Sequence, residues 1–123
     1  MKVDIIAFGA HPDDVELGCG GSISSAISQG LKVGIVDLTK GELGTRGTPE
    51  IREKESNKAS KILGVSFRKN LGFKDSFFVN DKKHQLKVVE LLREHRPSIV
   101  FCNAIRDRHI DHPKGSKLVS DSC

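Results

Sequence analysis

The chain alternates between short apolar segments rich in β-formers and longer segments in which apolar residues recur at helical spacing. This alternation constrains the fold more than any other feature, because strand and helix repeats of this kind build a parallel sheet covered by helices. Four such repeats occupy 123 residues, which is the length of one ordinary domain. We therefore predict an α/β fold, a Rossmann-like open parallel sheet with helices on both faces.

The predicted elements follow one another without an intervening linker or low-complexity segment. Strands are predicted over residues 3–8, 31–39, 65–73 and 98–104. Helices are predicted over residues 17–29, 49–63, 82–96 and from 112 to the end. Thr48 and Asp81 are predicted helix caps, and Gly30 and Gly64 are predicted to end helices. We expect an apolar face of Leu86, Val89 and Leu92, with Val88 beside them, on the third helix.

Composition and charge argue against several classes of protein. The net charge of +4 is modest, there is no Trp or Tyr, and the six Phe are not interleaved with basic clusters, so we expect no nucleic-acid partner. No apolar stretch has the length of a membrane span, so we expect no membrane partner. Three cysteines without a CxxC pair suit a reducing compartment, and we predict a cytoplasmic protein.

Three polar segments follow predicted strands. They are HPDD (11–14), KGELGTRG (40–47) and RDRHIDH (106–112). In open α/β sheets, ligands bind outside the carboxyl ends of the strands, and all three segments fall at that edge. The sequence therefore predicts that titratable side chains from distant parts of the chain converge there.

Two of these segments contain the residue types of a metal site. His11 and Asp14 are three residues apart, so both side chains face the same way if a helix begins after Pro12. His112 would complete the set, because the first and fourth strands are neighbours in doubly wound sheets. Two histidines and one carboxylate leave a coordination position open for water. Zn²⁺ is the expected ion, and the same ligands also suit Fe²⁺.

The residues beside the proposed ligands suit acid and base chemistry. Asp13 cannot easily bind the same ion from the same direction as Asp14, so it is placed to take the proton of an activated water. His109 lies one helical turn before His112, and it would donate to an oxyanion or protonate a leaving amine. Asp111 would hold one of these histidines in the correct tautomer.

Each segment also has an interpretation without catalysis. An Asp-Asp pair after a strand is commonly a helix cap or a solvated turn, and a histidine-rich run is commonly surface. Glu16 would serve the helix dipole or support the site. Arg46, Arg52 and Arg108 flank the same edge, and the last two are the better candidates for contact with substrate.

The segment GCGG (18–21) raises a rival hypothesis, a dinucleotide-binding fold. Gly18 and Gly20 provide GxG, but position 23 is Ile, and HPDD occupies the turn where a pyrophosphate would lie. We instead predict that these glycines let the first helix pack closely on the sheet. The alternatives to an enzyme are thus a non-catalytic Rossmann-like module that binds a metal or a nucleotide, and a fragment that binds neither.

Four segments together resemble one protein family. They are AHPDDVELGCGG, TKGELGTRG, REKES and RHIDHP, in this order and at this spacing. They resemble the LmbE-like (PIG-L) zinc-dependent N-acetylglucosamine deacetylases over residues 3–121. The segments GELGTRGTPEIREKES and RDRHIDHPKGSKLV are most similar to the branch that acts in bacillithiol biosynthesis. Enzymes of that branch deacetylate N-acetylglucosaminyl-malate.

The resemblance implies a role for each matching residue. It implies zinc ligation by His11, Asp14 and His112, and a general base at Asp13. It implies that His109 stabilises the tetrahedral intermediate with Asp111 as its charge partner. It also implies substrate contact by Arg52 and Arg108, so the expected partner is a small amino-sugar conjugate with an acidic aglycone.

Members of that family are longer than this chain. We therefore expect residues 1–123 to be the N-terminal part of a single LmbE-like deacetylase domain, truncated after the fourth strand, with its C-terminal portion missing. Surface that the missing portion would cover is then exposed, and we expect a homo-oligomer.

Overall fold

The computed structural model describes residues 1–123 as a sheet of four strands with four helices. The strands are β1 (Ile5–Gly9), β2 (Val33–Thr39), β3 (Phe67–Phe73) and β4 (Ile99–Phe101). The helices are α1 (Asp14–Ser28), α2 (Pro49–Leu63), α3 (Lys82–His95) and α4 (Asp111–Ser122). Strands and helices alternate throughout, as the sequence predicts, and the α/β class is confirmed.

The four strands are parallel, and their order across the sheet is β3-β2-β1-β4. β1 is therefore central: Ile5 pairs with Val33 of β2 on one side and with Ile99 of β4 on the other. The predicted neighbourhood of the first and fourth strands is confirmed. The longest helices have 15 residues, and none has the length and hydropathy of a bilayer span.

Successive residues of β1 alternate between two cores. Ile6 and Phe8 pack with residues of α3 and α4 on one face, whereas Ile5 and Ala7 pack with residues of α1 on the other. The contacts from α3 and α4 include Val88, Leu91, Leu118 and Val119. A buried strand with both faces covered is apolar in every position, which explains the unbroken run IIAFG. The predicted helices on both faces are confirmed.

Local sequence signals position the second and third helices as predicted. The Thr48 hydroxyl accepts a hydrogen bond from the N–H of Ile51 at 3.2 Å, and Pro49 is the first helical residue. Gly64 ends α2 in the left-handed region with φ of 79°. Asp81 caps α3 by accepting the N–H of His84 at 3.0 Å. These caps bring the start of α2 to the edge of the sheet where β2 ends.

The buried face of α3 differs from the predicted one. Leu86 is 49% exposed, whereas Val88, Leu91 and His95 are buried. The reason is His95, whose ring stacks on Phe67 with centroids 4.1 Å apart. The buried face of α3 therefore includes a titratable residue, and it is rotated about the helix axis relative to the apolar face that the sequence predicts.

The role predicted for the GCGG glycines is wrong. A Cβ at Gly18, Gly20 or Gly21 would meet nothing within 4 Å, so close packing on the sheet does not require them. Instead α1 is broken at Cys19, whose φ of −145° and ψ of 19° are not helical. The glycines therefore accompany a break in the helix, which residues of low helix propensity favour.

We predict that Ile6→Ala lowers the free energy of unfolding by about 2–5 kcal/mol, because it leaves a cavity in the central strand. The matched control is Ile62→Ala on α2, where the side chain is 77% exposed and the expected change is within about 0.5 kcal/mol. Urea unfolding followed by circular dichroism measures both. Equal losses in the two variants would contradict the assigned core.

Candidate functional site

Four loops meet at the carboxyl edge of the sheet, one after each strand. They span residues 10–13, 40–48, 74–81 and 102–110. Three contain the polar segments that the sequence places at this edge. The fourth follows β3 and adds Asp75, which the sequence analysis did not single out. The parallel sheet thus delivers polar side chains from every strand to one cleft.

The structure brings His11, Asp14 and His112 together. Asp14 Oδ2 lies 3.4 Å from Nδ1 of His11 and 3.1 Å from Nε2 of His112. The three possible ligand atoms lie within 4.8 Å of one another. Ligand atoms about 2.0–2.1 Å from a tetrahedral ion are roughly 3.3 Å apart. The three side chains therefore fit a single divalent cation.

The remaining imidazole nitrogens are held by carboxylates. His11 Nε2 donates to Asp111 Oδ2 at 2.7 Å, and His112 Nδ1 donates to Asp107 Oδ2 at 2.9 Å. Metal-binding histidines characteristically use their second nitrogen in this way. A second group, His11 with His109 and Asp111, is also close enough to bind an ion. Its Asp111–His11 contact is already a hydrogen bond, so the set containing Asp14 fits better.

The site carries an excess of negative charge around one imidazole. Asp14, Asp75 and Asp111 all lie within 3.4 Å of the His11 ring nitrogens. Burial alone would lower the pKa of His11, but its bonds to Asp14 and Asp111 outweigh burial and raise the pKa to about 9. Burial would raise the pKa of Asp14, yet its bonds to His11 lower it. Charge of this kind is what a divalent cation compensates.

Asp13 occupies the junction between β1 and α1 in a strained conformation. Its φ of 86° and ψ of −19° lie in the left-handed region, and its side chain makes no cap hydrogen bond to the helix. The alternative of a helix cap is therefore not supported. Partial burial and the charges of Asp14 and Glu16 raise the pKa of Asp13, while Arg52 lowers it. Strain at a non-glycine residue of this kind is typical of functional sites.

His109 lies beside both proposed histidine ligands. Its ring meets the His11 ring edge-on at 4.6 Å and stacks on the His112 ring at 5.2 Å. Its Nδ1 accepts the backbone N–H of Asp111 at 3.2 Å, so in the neutral imidazole Nε2 carries the proton.

The expected pairing of the Asp111 carboxylate with His109 is not found. Asp111 Oδ2 instead accepts from His11 and from the N–H of Ser76 at 3.0 Å. Asp111 Oδ1 has no hydrogen-bond partner, although Lys114 Nζ lies 3.5 Å away. The carboxylate is fully buried, so it is fixed against His11 rather than free to follow His109.

His11, Asp13, Asp14 and His109 line a cleft of about 320 Å³. Its walls also include two arginines and other residues of the loops after β2 and β3: Gly41, residues 43–46, Arg52, Asp75 and Ser76. The Arg52 guanidinium donates through Nε and Nη2 to the carbonyl of Arg46 at 3.3 and 3.0 Å. A Cβ at Gly41 or Gly44 would collide with this guanidinium, so the glycines make room for it.

Three predicted site residues do not line this cleft: Arg108, Asp111 and His112. Asp111 and His112 nevertheless contact residues that do, namely His11 and Asp14, whereas Arg108 does not. The side chain of Arg108 is exposed.

Three supporting residues escaped the sequence analysis: Asp75, Asn103 and Asp107. Asn103 accepts the N–H of Ala10 at 2.9 Å and donates to Asp14 Oδ2 at 3.3 Å. Two signals in the sequence could have identified the acidic residues as parts of the site. Asp75 lies two residues after the end of β3, and Asp107 lies within RDRHIDH.

Comparison with known proteins identifies relatives over almost the whole chain. The family model described as PIG-L, GlcNAc-PI de-N-acetylase, matches residues 6–123. An uncharacterised deacetylase, YaiS of Escherichia coli K12, is 37% identical over 116 residues, which is 88% of this chain and 61% of that protein. A probable N-acetyl-α-D-glucosaminyl L-malate deacetylase 2 of Bacillus anthracis is 30% identical over 103 residues, covering 74% of this chain and 46% of that protein.

A solved structure agrees closely with this fold. The crystal structure of the conserved protein TT1542 from Thermus thermophilus has a TM-score of 0.92 and 48% sequence identity. The match covers 98% of this chain and 55% of that chain. The present chain thus spans about half to three fifths of the length of these three relatives.

We predict that His112→Ala weakens Zn²⁺ binding by at least about 100-fold, because it removes one of three convergent ligand atoms. His84→Ala is the matched control, since the His84 ring bonds only to the capping residue Asp81, away from the cleft. Competition with a chromophoric chelator measures both affinities. An affinity for His112→Ala equal to that of the control would rule out the proposed metal centre.

Proposed function

The chain belongs to the PIG-L family of GlcNAc-PI de-N-acetylases, and from that premise we propose that the protein is a zinc-dependent hydrolase of N-acetylated amino sugars. One observation carries the proposal. His11, Asp14 and His112 converge from segments about 100 residues apart, and His11 and Asp14 line the same cleft as Asp13. The deacetylase names of the relatives from Escherichia coli and Bacillus anthracis support the same reaction.

The proposed metal centre would supply Lewis acid chemistry. His11, Asp14 and His112 would hold Zn²⁺, with Fe²⁺ as the alternative ion, and a bound divalent cation lowers the pKa of water and polarises a carbonyl. Asp111 and Asp107 keep the two imidazoles oriented towards Asp14. Asp13 accepts the proton as the water oxygen attacks the acetyl carbon. Its side chain lines the cleft, so it reaches this space without displacing a ligand.

The remaining steps need a donor to the oxyanion and a donor to the amine. His109 lines the cleft and has Nε2 available, so it donates to the acetyl oxygen as negative charge develops there. The C–N bond then breaks, and the nitrogen takes a proton from Asp13 or His109. Acetate and a free amino sugar leave. Asp111 acts through His11 in this scheme, rather than through His109.

We propose N-acetylglucosaminyl-malate as the substrate, which would place the protein in bacillithiol biosynthesis. The relative from Bacillus anthracis carries that activity in its name. Arg52 lines the cleft, and Arg46 belongs to the same wall, so a cationic surface is available to a dicarboxylate. Arg108 is the other proposed contact, and it would reach the aglycone from outside the cleft described above.

The alternative is a non-catalytic module that binds a metal or a nucleotide. A nucleotide is disfavoured because Asp13, Asp14 and Asp75 occupy the strand ends where its phosphates would lie. A metal-binding module without turnover would retain Zn²⁺ affinity and release no amine. The deacetylation assay below therefore separates the two candidates.

The location, the domain assignment and the oligomeric state of the whole protein remain predictions. The three cysteines are free, in keeping with a cytoplasmic location. The assignment of residues 1–123 to the N-terminal part of one deacetylase domain is a prediction of the same kind. β4 is an edge strand with Ile99 48% exposed, which supports self-association.

We predict that Asp13→Ala lowers the rate of amine release by about 10²–10⁴-fold, because the general base is lost. Fluorogenic detection of the free amine measures the rate, and chelator competition should show that Zn²⁺ remains bound. Asp4→Ala, at the opposite end of β1, is the control. Full activity of Asp13→Ala would refute the assigned base.

We also predict that Arg52→Lys raises KM for N-acetylglucosaminyl-malate about 10-fold, since a bidentate contact worth roughly 1.4 kcal/mol is lost. KM for N-acetylglucosamine, which lacks malate, should change less than twofold. Lys61→Arg on the same helix serves as the control. Equal changes with both substrates would show that Arg52 does not recognise the aglycone.

A further inference from the structure

The first turn of α1 is separated from the rest of that helix. Residues 14–18 lie between Asp13, which is left-handed, and the non-helical Cys19. This turn, which we term the ligand turn, carries Asp14 and directly follows Asp13. Since the helix is broken at Cys19, the packing of residues 20–28 does not fix the orientation of the ligand turn. Some other contact must hold it.

Arg68 of β3 makes that contact through Glu16. Its Nη1 and Nη2 donate to Glu16 Oε2 and Oε1 at 3.0 and 3.1 Å. Its Nε and Nη2 also donate to Asp37 Oδ2 and Oδ1 at 2.8 and 2.9 Å. The side chain of Arg68 is only 6% exposed, and that of Asp37 only 3%. A buried guanidinium is thus clamped between two carboxylates.

Arg68, Glu16 and Asp37 form a triad, and two of its members belong to the sheet. Asp37 pairs with Gly9 in the ladder of β2 and β1, and Arg68 pairs with Ile35 in the ladder of β3 and β2. Glu16 alone lies on the ligand turn. We propose that Arg68 is a positioning residue, which fixes the ligand turn to the sheet through Glu16 and thereby sets Asp13 and Asp14 against His112.

The triad is better suited to orienting the ligand turn than to raising the free energy of unfolding. Removing three charged groups from water is costly, so buried ion pairs contribute little net stability on average. A planar guanidinium that binds each carboxylate through two hydrogen bonds, however, defines both distance and angle. The buried side chain of Val15 and the Asn103 amide also hold the ligand turn, but an apolar contact lacks this directionality, and Asn103 donates a single hydrogen bond of 3.3 Å to Asp14. The effect of the triad on the proposed metal ligand Asp14 rests on the proposed function, whereas its restraint of the ligand turn does not.

The test compares Glu16→Gln and Arg68→Lys with two controls. Glu53→Gln removes a carboxylate that lines a cavity with Arg68 but does not bond to it. Ile23→Val trims a buried residue of α1 beyond the break. Hydrogen exchange of the metal-free proteins should be at least about 10-fold faster in residues 14–18 of the two triad variants and unchanged in residues 20–28. Neither control should show this pattern.

Zn²⁺ affinity provides the second measurement. Glu16→Gln and Arg68→Lys should each weaken binding about 10–100-fold, and the double variant should lose no more than the more affected single variant. Faster exchange confined to residues 14–18 supports the restraint even if no variant binds Zn²⁺, an outcome that would refute the proposed function alone. Unchanged exchange in folded Glu16→Gln, or additive losses of affinity in the double variant, would overturn the positioning role.

Discussion

The parallel pairing of β1 with β4 is the interaction on which the candidate site depends. Only three residue pairs make this ladder, from Ile5 with Ile99 to Ala7 with Phe101. It nevertheless places the end of β1 beside the end of β4, and Asn103 then bonds to Ala10 and Asp14 across the gap. Without this register the segments that contain His11 and His112 would lie apart, and the carboxylates of the first loop would form an isolated acidic turn.

The ligand turn lies between two clusters of charge. On one side, His11 and His112 approach Asp14, and their outer nitrogens are held by the buried carboxylate of Asp111 and the exposed carboxylate of Asp107. On the other side, Arg68 compensates the negative charge of Glu16 and Asp37, although burial still raises the pKa of Asp37 to about 6. The two carboxylates of the turn, Asp14 and Glu16, are thus each held by hydrogen-bonding or cationic partners from other elements.

The fold could be predicted largely from the sequence, because its signals are local. Thr48, Gly64 and Asp81 act on backbone groups within four residues of themselves, so the local sequence alone reveals the helix ends. The buried face of α3 could not be predicted, since His95 is buried by contacts from distant parts of the chain, a stack on Phe67 and a hydrogen bond to the carbonyl of Met1. The role of the GCGG segment was predicted wrongly for a similar reason. A glycine indicates only that a side chain is absent, and this absence is compatible both with close packing and with a break in the helix.

The sequence by itself determined which residues would compose the candidate site, because parallel strands deliver their carboxyl-end loops to one edge. His11, Asp13, Asp14, His109 and His112 follow from that rule together with the family resemblance. Only the tertiary structure decided their partners: Asp111 binds His11 rather than His109, Asp75 joins from the loop after β3, and Arg108 stays outside the cleft. Such choices depend on side-chain directions and distances between distant segments, which neither periodicity nor spacing along the chain encodes.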